Sequence, residues 1–373
     1  MKTTKKIVVK AGTSTLTQGS KKLSRKFMLE LTRQLATLHT KGVEIILVSS
    51  GAIAAGREVL QHPTVERSLP SKQMFASVGQ AHLMQIWSDL FSIFEIHVGQ
   101  LLLTRDDLSH RKRYLNARDT LTCLLQHKII PIINENDSVA TKEIRVGDND
   151  NLAALVANVI GADLLILLTD QGGLFTADPR LNPNAKLIPH IDTIDESIFA
   201  LAKGSSTSLG TGGMYTKIEA AQTAAHSGTP TIIASAAHPN VLLEIMDGVK
   251  IGSLFQTSIT PQESRKRWLL SEKKQGSIHV DQGAATKIMH GGASLLPSGI
   301  THTSKDFDRG AVIQIVDPQG KPIAAGVSNY DSAEITRLVG KQSAAIEEIL
   351  GYSYGHEVVH RTNMTRLKSM ETA

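Results

Sequence analysis

The segment DLLILLTD, residues 163–170, decides the fold of this chain because its centre is an almost uninterrupted run of apolar residues between acidic ends. A short run of this kind is typical of a strand that is buried on both faces of a sheet. Comparable runs recur along the first two thirds of the chain, and each predicts a strand: KIVVKAG (6–12), EIILVSSG (44–51), HVGQLLLT (97–104), IIPIINEN (129–136) and TPTIIAS (229–235).

Helical patterns separate these apolar runs. In SRKFMLELTRQLATLHT, residues 24–40, leucines recur at mostly helical spacing. Ser24 is a suitable N-cap for this helix, and Gly42 is a suitable residue to end it. Buried strands that alternate with helices predict an α/β domain over residues 1–258, with a mostly parallel sheet covered by helices on both faces.

The pattern changes after residue 258, which predicts a second domain. Residues 259–275 are strongly charged and are predicted to be a linker. Residues 276–355 are predicted to form a small β-rich domain, and residues 356–373 a C-terminal tail that frays from about residue 362. Within the second domain, GAVIQIVDPQGKPIAAGV (310–327) predicts a hairpin with PQGK as its turn.

The glycine-containing stretch GSIHVDQGAATKIMHGGASLLPSGI, residues 276–300, opens this second domain. It contains short β-branched or apolar groups separated by single glycines and by the pair Gly291–Gly292. Glycine and small polar residues between short apolar groups favour turns. The stretch therefore predicts short strands that are joined by glycine turns.

The charge of the chain is distributed unevenly. The formal net charge is +5, and residues 1–41 carry ten Lys or Arg against the single acid Glu30. A basic surface can bind nucleic acid or a phosphorylated substrate, although it is more often only solvated. Residues 275–373 carry nine basic and ten acidic residues. The balanced C-terminal part is not typical of an RNA-binding domain, because affinity for RNA usually depends on a basic surface.

Cysteine content and hydropathy indicate the compartment. Cys123 is the only cysteine, so an intrachain disulfide cannot form, which is consistent with a reducing compartment. The basic N-terminal segment has too few apolar residues for a signal peptide. The most apolar region, 152–168, contains Asn158 and Asp163 and is too short to span a membrane. These features predict a cytoplasmic protein without a membrane segment.

Polar residues directly follow four of the predicted strands. In a doubly wound sheet, ligands bind beyond the carboxyl ends of the strands. The apolar cores IVV, IILV, IIPII and LLILL of these runs are followed, respectively, by Lys10, Gly12, Thr13 and Ser14; by Ser49, Ser50, Gly51 and Ala52; by Asn134, Glu135, Asn136 and Asp137; and by Thr169 and Asp170. A single strand end with polar residues is commonly only a turn, but four such strand ends in one domain predict a binding site.

Two glycine-rich segments, SSGAIAAGRE (49–58) and LGTGGMYTK (209–217), are suited to an anion. Glycine lets backbone N–H groups approach a phosphate closely. Neither segment matches a Walker A loop or a dinucleotide-binding fingerprint. A phosphate site that uses separate lysines remains, with Lys10 after the first strand and Lys217 at the end of the second segment.

The segment VGDNDNLAAL, residues 146–155, contains four short polar side chains in succession. An EF-hand that began at Asp148 would require Gly at its sixth position and Glu at its twelfth, where this chain has Ala153 and Val159. The calcium-loop interpretation therefore fails. A turn with a helix cap accounts for one or two of these residues but not for all four.

Six motifs resemble those of the glutamate 5-kinases within the amino acid kinase superfamily. In chain order they are VVKAGTS (8–14), SSGAIAAG (49–56), NENDSVA (134–140), VGDNDNLAA (146–154), LLTDQGGLFTADP (167–179) and GTGGMYTK (210–217). The C-terminal part is similar to a PUA domain through GAATKIMHGGASLLPSGI (283–300), FDRGAVIQI (307–315) and IAAGVSNYDS (323–332). The resemblance covers nearly the whole chain and implies an amino acid kinase fold followed by a PUA-like domain.

The resemblance implies a kinase that transfers the γ-phosphoryl group of ATP to the side-chain carboxylate of L-glutamate. The product would be γ-glutamyl phosphate, in the first step of proline biosynthesis. ATP and Mg²⁺ are the implied cofactors. Lys10, Lys217 and Asp150 are the implied catalytic residues, with Asp150 orienting the two lysines through ion pairs.

The resemblance also assigns binding residues. The nucleotide would contact Lys10, Gly12, Thr169, Asp170, Thr211, Gly212, Gly213, Met214, Tyr215, Thr216 and Lys217. The substrate would contact Ser50, Gly51, Asp137 and Asn149. No residue is assigned as a dedicated ligand of the metal, because Mg²⁺ commonly bridges substrate phosphates and keeps several waters.

Family behaviour further implies feedback inhibition by proline and a homo-oligomer, specifically a tetramer. Transfer of the labile product to glutamyl phosphate reductase is a related expectation. Two alternatives remain open. One is a sister kinase that acts on N-acetylglutamate, aspartate, carbamate or UMP. The other is an RNA-binding protein that uses the PUA-like domain on a kinase-like scaffold.

Overall fold

A computed structural model describes residues 5–66, 68–140, 148–202 and 213–367, with only the backbone at residue 148. Within it, the chain divides into two compact units between Pro261 and Gln262.

An eight-stranded sheet forms the centre of the first unit. Its strands are β1 (Lys6–Ala11), β2 (Glu44–Ser49), β3 (Val98–Leu103), β4 (Ile130–Glu135), β5 (Leu164–Thr169), β6 (His190–Ile191), β7 (Thr231–Ser235) and β8 (Ser253–Phe255). Their spatial order is β3-β4-β2-β1-β5-β7-β8-β6. All neighbouring pairs are parallel except β7 and β8. The six strands predicted from apolar runs are confirmed.

Helices cover both faces of this sheet. They are α1 (Thr13–Thr17), α2 (Arg25–Thr40), α3 (Ala52–Val59), α4 (Leu69–Ser92), α5 (Arg105–Ser109), α6 (Arg111–Gln126), α7 (Asp148–Ile160), α8 (Glu196–Ala202), α9 (Met214–His226) and α10 (Val241–Met246). One core lies under α2, α3, α4 and α10, and the other under α5 to α9. Within the described residues, no helix has the length and apolar character required to span a bilayer.

Strand β1 shows why the sheet is sandwiched. Ile7 and Val9 pack into the first core, whereas Val8 packs into the second. Because alternate side chains of a strand point to opposite faces, a continuous apolar run supplies both cores at once. The predicted α/β class with a mostly parallel, two-sided sheet is therefore confirmed.

Helix α2 confirms the helix that was predicted from residues 24–40. The Ser24 hydroxyl accepts a hydrogen bond from the Phe27 N–H at 3.3 Å, which satisfies a donor at the start of the helix. After the helix, Gly42 has a φ of +84°. That backbone conformation favours glycine, so Gly42 lets the chain turn directly into β2.

The second unit contains a five-stranded sheet. Its strands are β9 (Gly276–Val280), β10 (Ile300–Ser304), β11 (Val312–Val316), β12 (Pro322–Val327) and β13 (Met364–Arg366), in the spatial order β10-β9-β11-β12-β13. Its helices are α11 (Pro261–Ser271), which starts at the boundary, α12 (Gln282–Gly291), α13 (Ser332–Leu338) and α14 (Ile346–Leu350). Strands β11 and β12 are antiparallel and form the predicted hairpin.

Two parts of the second unit differ from expectation. The sequence predicts strands and glycine turns over residues 276–300, but α12 occupies the middle of that stretch. The Asp281 carboxylate caps the helix by accepting the Ala284 N–H at 2.7 Å, and Gly292 ends it with a φ of +58°. Gly283 and Gly291 therefore lie within a helix that an acidic N-cap begins, and Gly292 ends it. Helix α11, in turn, occupies most of the charged stretch 259–275.

The expected fraying from about residue 362 is also wrong for the residues up to 367. Strand β13 pairs with β12 in the sheet, and Val359 forms a bridge with Leu295. Val358 and Val359 are fully buried. Burial of these valines and the hydrogen bonds of β13 give this segment a fixed place in the second core.

Candidate active site

The charged residues of the site come from three elements that meet at the carboxyl edge of the large sheet. Lys10 lies near the end of β1, Asp150 in the first turn of α7, and Lys217 in the first turn of α9. All three side chains are buried, with residue exposures of 5% for Lys10, 0% for Asp150 and 4% for Lys217. Charged residues are seldom buried this completely unless they are paired.

Asp150 lies between the two lysines. Nζ of Lys10 is 2.6 Å from Oδ1 of Asp150, and Nζ of Lys217 is 3.1 Å from Oδ2. The Thr216 hydroxyl also donates to Oδ2, at 2.9 Å. One carboxylate therefore fixes the two ammonium groups on its two oxygens.

Burial and charge act in opposite directions on the ionisation of this cluster. Burial alone raises the pKa of Asp150, but the charges and hydrogen bonds of Lys10 and Lys217 hold its pKa well below the usual range. The pKa of Lys10 is lowered, chiefly by burial and also by Lys217, although Asp150 opposes this shift. Asp150 is therefore ionised at neutral pH.

The cluster attracts anions because two ammonium groups share one carboxylate. Gly12 keeps one side of it open, since a Cβ at residue 12 would lie 3.1 Å from Nζ of Lys10. Preorganised cations in a water-poor site stabilise developing negative charge strongly. The arrangement is suited to phosphoryl transfer.

A second, neutral cluster lies beside the charged one. The side-chain amide of Asn149 donates to the Ser50 hydroxyl at 2.8 Å and to Oδ1 of Asn134 at 2.9 Å. The Asn134 amide then donates to Oε1 of Gln80, in α4, at 2.8 Å. We call Ser50, Asn149, Asn134 and Gln80 the amide network. It connects the ends of β2 and β4 with α4 and α7.

Two members of this network were not selected as site residues from the sequence. Asn134 stood among the polar residues after the fourth apolar run, so its position gave a signal. Gln80 gave none, because it is one of several polar residues in a 24-residue helix. Of the site residues that were predicted from the sequence, Ser50 and Asn149 contact each other in the amide network. Lys10, Asp150, Thr216 and Lys217 contact one another in the charged cluster.

The other residues expected to bind substrate lie at the same edge of the sheet. Gly51 precedes α3 and has a φ of +106°, a conformation that side chains other than glycine adopt rarely. Asp137 is in the turn after β4. That turn is held to α4 by a 2.8 Å hydrogen bond between the hydroxyls of Ser138 and Ser77.

Lys10, Gly12, Thr216 and Lys217 belong to or adjoin the charged cluster, and the other described residues expected to bind the nucleotide lie elsewhere. Thr169, at the end of β5, is buried and donates to the exposed Asp170 at 3.0 Å. Gly213 precedes α9, and Met214 begins it. Tyr215 is 40% exposed and packs against Phe199, so its ring is not part of the charged cluster. Thr211 and Gly212 lie outside the described residues.

Comparisons with known proteins identify the family to which this chain belongs. The model of the amino acid kinase family matches residues 5–235, and that of the PUA domain matches residues 276–350. The first match spans more than half of the chain. The chain belongs to the amino acid kinase family.

Relatives of nearly the same length share about half of the sequence. Glutamate 5-kinases of Enterobacter sp. (strain 638), Escherichia fergusonii and Escherichia coli (strain K12 / DH10B) are each 52% identical over 358 residues. In each case the match covers 96% of this chain and 98% of the relative. The resemblance that was inferred from the motifs is confirmed.

Solved structures of more distant kinases also align. The UMP kinase from Bacillus anthracis matches with a TM-score of 0.48 at 13% identity, over 69% of this chain and 98% of its own. The UMP kinase from Ureaplasma parvum matches with a TM-score of 0.47 at 15% identity, over 68% of this chain and 99% of its own.

Proposed function

We propose that this protein transfers the γ-phosphoryl group of ATP to the side-chain carboxylate of L-glutamate. The buried cluster of Lys10, Asp150 and Lys217 is the observation that carries this proposal. The 52% identity to glutamate 5-kinases along nearly the whole chain supports the choice of substrate. The product is γ-glutamyl phosphate, an intermediate of proline biosynthesis.

The chemistry requires charge stabilisation more than proton transfer. A glutamate side chain has a pKa of about 4.3 and is already ionised at neutral pH, so its oxygen needs no general base. That oxygen forms a bond to the γ-phosphorus, while the bond from this phosphorus to the bridging oxygen breaks and ADP leaves. Lys10 and Lys217 lower the repulsion between the two anions and stabilise the charge on the transferring group.

Asp150 supports this step without contacting the phosphoryl group. Its two oxygens hold the ammonium groups of Lys10 and Lys217 at 2.6 and 3.1 Å. Fixed cations lose little free energy to reorganisation during the reaction. Asp150 is therefore a positioning residue for the two lysines.

The amino-acid end of the substrate requires both donors and acceptors. L-Glutamate presents an α-ammonium group and an α-carboxylate in addition to its reacting carboxylate. Asp137 supplies an acceptor for the ammonium group, while Ser50 and the Asn149 side chain belong to the polar wall that holds the carboxylates. The nucleotide lies against Thr169, Asp170 and the segment 211–217.

Magnesium fits this site as an ion carried by the nucleotide. Asp150 is fully buried and already paired with two lysines, so it is not available as a metal ligand. Among the described residues, no cluster of three or more His, Cys, Asp or Glu is arranged to bind a metal. Bound Mg²⁺ would supply positive charge against the nucleotide phosphates, and the exposed carboxylate of Asp170 would hold its water shell.

Regulation and assembly follow as parts of the same proposal. Proline resembles glutamate in its α-carboxylate and α-amino group, which supports inhibition at the amino-acid end of the site. We propose a homotetramer, and transfer of the labile acyl phosphate to glutamyl phosphate reductase. A cytoplasmic location fits the requirement for ATP and the exposed free thiol of Cys123.

The decisive experiment measures acyl phosphate directly. The protein is incubated with ATP, Mg²⁺ and L-glutamate, and the product is trapped with hydroxylamine, with and without proline. Hydroxamate that requires L-glutamate and decreases with proline would support the reaction and its regulation. Turnover only with N-acetylglutamate, aspartate, carbamate or UMP would contradict the substrate. Absence of turnover with all of them would favour the RNA-binding alternative.

A further inference from the structure

The amide network extends from the strand ends to Gln80, a residue of α4. Gln80 does not belong to the strand ends that carry the other site residues. It is connected to Ser50 by three consecutive hydrogen bonds, through Asn134 and Asn149, with lengths of 2.8, 2.9 and 2.8 Å. In each of these bonds the donor and the acceptor can be assigned.

A backbone N–H group determines which side-chain atoms donate and which accept. The Glu135 N–H donates to Oδ1 of Asn134 at 2.9 Å and to Oδ1 of Asn149 at 3.2 Å. A backbone amide can only donate, so both asparagines must turn their oxygens towards it. The Asn134 NH₂ group therefore points to Gln80, and Gln80 must present its oxygen.

These hydrogen bonds make the Ser50 oxygen an acceptor. Asn149 uses both hydrogens of its NH₂ group, one on Asn134 and one on the Ser50 oxygen. A serine hydroxyl has one hydrogen to donate. Because the Ser50 oxygen already accepts from Asn149, its hydrogen is free to point to a substrate carboxylate. The network thus makes Ser50 a donor at the amino-acid end of the site.

The backbone of α4 packs closely against α3. A Cβ on Gly79, next to Gln80, would lie only 1.8 Å from the carbonyl oxygen of Ala52 in α3. A Cβ on Gly56 would lie 1.9 Å from the Phe75 carbonyl oxygen. The two helices therefore touch backbone to backbone. Helix α3 starts two residues after Ser50, so this contact connects both ends of the network.

We propose that Gln80 is a positioning residue for the amino-acid substrate. Through Asn134 and Asn149, its side-chain oxygen orients the Ser50 hydroxyl towards a substrate carboxylate. Within the described residues, the Gln80 nitrogen is buried without a hydrogen-bond partner, so the bond from Asn134 is the contact that orients its amide. This inference rests on the proposed function, because it assumes that the site holds an amino-acid carboxylate.

The test compares Gln80→Met with the wild-type protein. Methionine preserves length and apolar contacts but places a methyl group where glutamine has its amide oxygen, and a methyl group cannot accept the hydrogen bond from Asn134. The KM for L-glutamate should rise about tenfold, the factor expected when an oriented hydrogen bond to a charged group is lost. The KM for ATP should remain within about twofold, because the charged cluster is intact. Gln85→Met, at an exposed position of the same helix, is the matched control and should change neither constant.

A double variant tests whether Gln80 acts through Asn134. In an Asn134→Ala background, Gln80→Met should add less than about twofold to the KM for L-glutamate, because the connection is already broken. A further tenfold increase there would contradict the proposed route. If Gln80→Met does not fold, Gln80→Asn replaces it. Asparagine keeps the amide but is too short to reach Asn134, so the same increase in KM is expected.

The outcomes separate this inference from the proposed function. Wild-type protein without turnover on L-glutamate would refute the proposed function, and the same variants would then be tested on the amino acid that supports turnover. Wild-type turnover combined with an unchanged KM in Gln80→Met would refute the role of Gln80 alone. Equal increases in the KM for L-glutamate and for ATP would also refute it, because a general structural defect would produce them.

Discussion

The charged cluster and the amide network lie side by side at one edge of the sheet, yet they are built differently. Lys10, Asp150 and Lys217 are fully or almost fully buried charges held by ion pairs. The network from Gln80 to Ser50 contains only neutral groups joined by hydrogen bonds. The two meet at consecutive residues of α7, Asn149 and Asp150.

This difference follows from what each end of the substrate requires. Charge redistributes at the phosphoryl group during transfer, so fixed cations stabilise the transition state there. The amino-acid end keeps its charges throughout the reaction and requires orientation instead. Changes in the charged cluster should therefore act on kcat and on stability, whereas changes in the network should act on the KM for the amino acid.

Asp150→Asn should have the largest effect. The change leaves two buried ammonium groups without a counter-charge, and breaking a buried ion pair from one side costs about 3–5 kcal/mol. The free energy of unfolding of the first unit should fall by roughly that amount. It can be measured by urea titration of Trp87 fluorescence, because Trp87 is fully buried in the first core.

The measurement requires a background of Trp268→Phe, since the chain contains two tryptophans and Trp268 lies in the second unit. Asp89→Asn, on the exposed side of α4, is the matched control and should have little effect. A loss in Asp150→Asn no larger than in Asp89→Asn would contradict the ion-pair interpretation.

Lys10→Ala and Lys217→Ala should have the next largest effect, and it should be on kcat. Each change removes a cation from the transferring group, which lowers kcat by about 10²- to 10³-fold. Stability should fall less than in Asp150→Asn, because Asp150 keeps its other lysine. Hydroxamate formation and urea unfolding measure the two quantities.

Lys26→Ala provides the control, since Lys26 is an exposed lysine of α2. It should leave kcat unchanged. If either active-site lysine variant lost stability as much as Asp150→Asn and kept its kcat, that lysine would have a structural role only.

The sequence predicted the charged cluster better than the amide network, for a physical reason. Lys10 lies near the end of a strand whose preceding residues are apolar on both faces, and a cation at such a position is unusual. Gln80 does not stand out, because a glutamine in a helix is ordinary and Gln85 in the same helix is exposed. Only the close contact of α3 with α4 brings Gln80 to the strand ends, and that contact is tertiary.

The difference between local sequence signals and tertiary contacts also explains which parts of the fold were predictable. Six of the eight strands of the large sheet were predictable because burial on both faces leaves a continuous apolar run, whereas the short strands β6 and β8 were not predicted. Helix α12 was not predictable from its glycines, since its start depends on a single cap by Asp281. The short strand β13 carries Thr365 and Arg366, which have no apolar pattern, and its position depends on pairing with β12. For the site, the roles of Asp150 and Asn149 were assigned from the resemblance to glutamate 5-kinases and not from a local pattern.

Asp137→Ala should have a smaller effect than the lysine variants, and the effect should be on the KM for L-glutamate. This variant tests the part of the site that binds the amino-acid end of the substrate. If Asp137 pairs with the α-ammonium group, its loss should raise the KM for L-glutamate about tenfold, as for a lost charge-assisted hydrogen bond. The kcat should change little because the charged cluster is untouched. Steady-state kinetics with Asp89→Ala as control measure this, and a fall in kcat without a change in KM would assign Asp137 to the phosphoryl end instead.

The smallest effect should appear in the pH dependence of stability. The pKa of Asp150 is lower in the folded protein than in the unfolded chain, so its contribution is complete above the unfolded pKa and is lost as the pH falls towards the folded pKa. The stability difference between wild type and Asp150→Asn should therefore be constant above about pH 5 and shrink below about pH 4, by roughly 1.4 kcal/mol per pH unit. The network contains no titrating group, so the difference between wild type and Gln80→Met should not change over this range. A difference for Gln80→Met that also shrinks with acid would show that the network and the charged cluster are electrostatically coupled, and the distinction between the two regions would then fail.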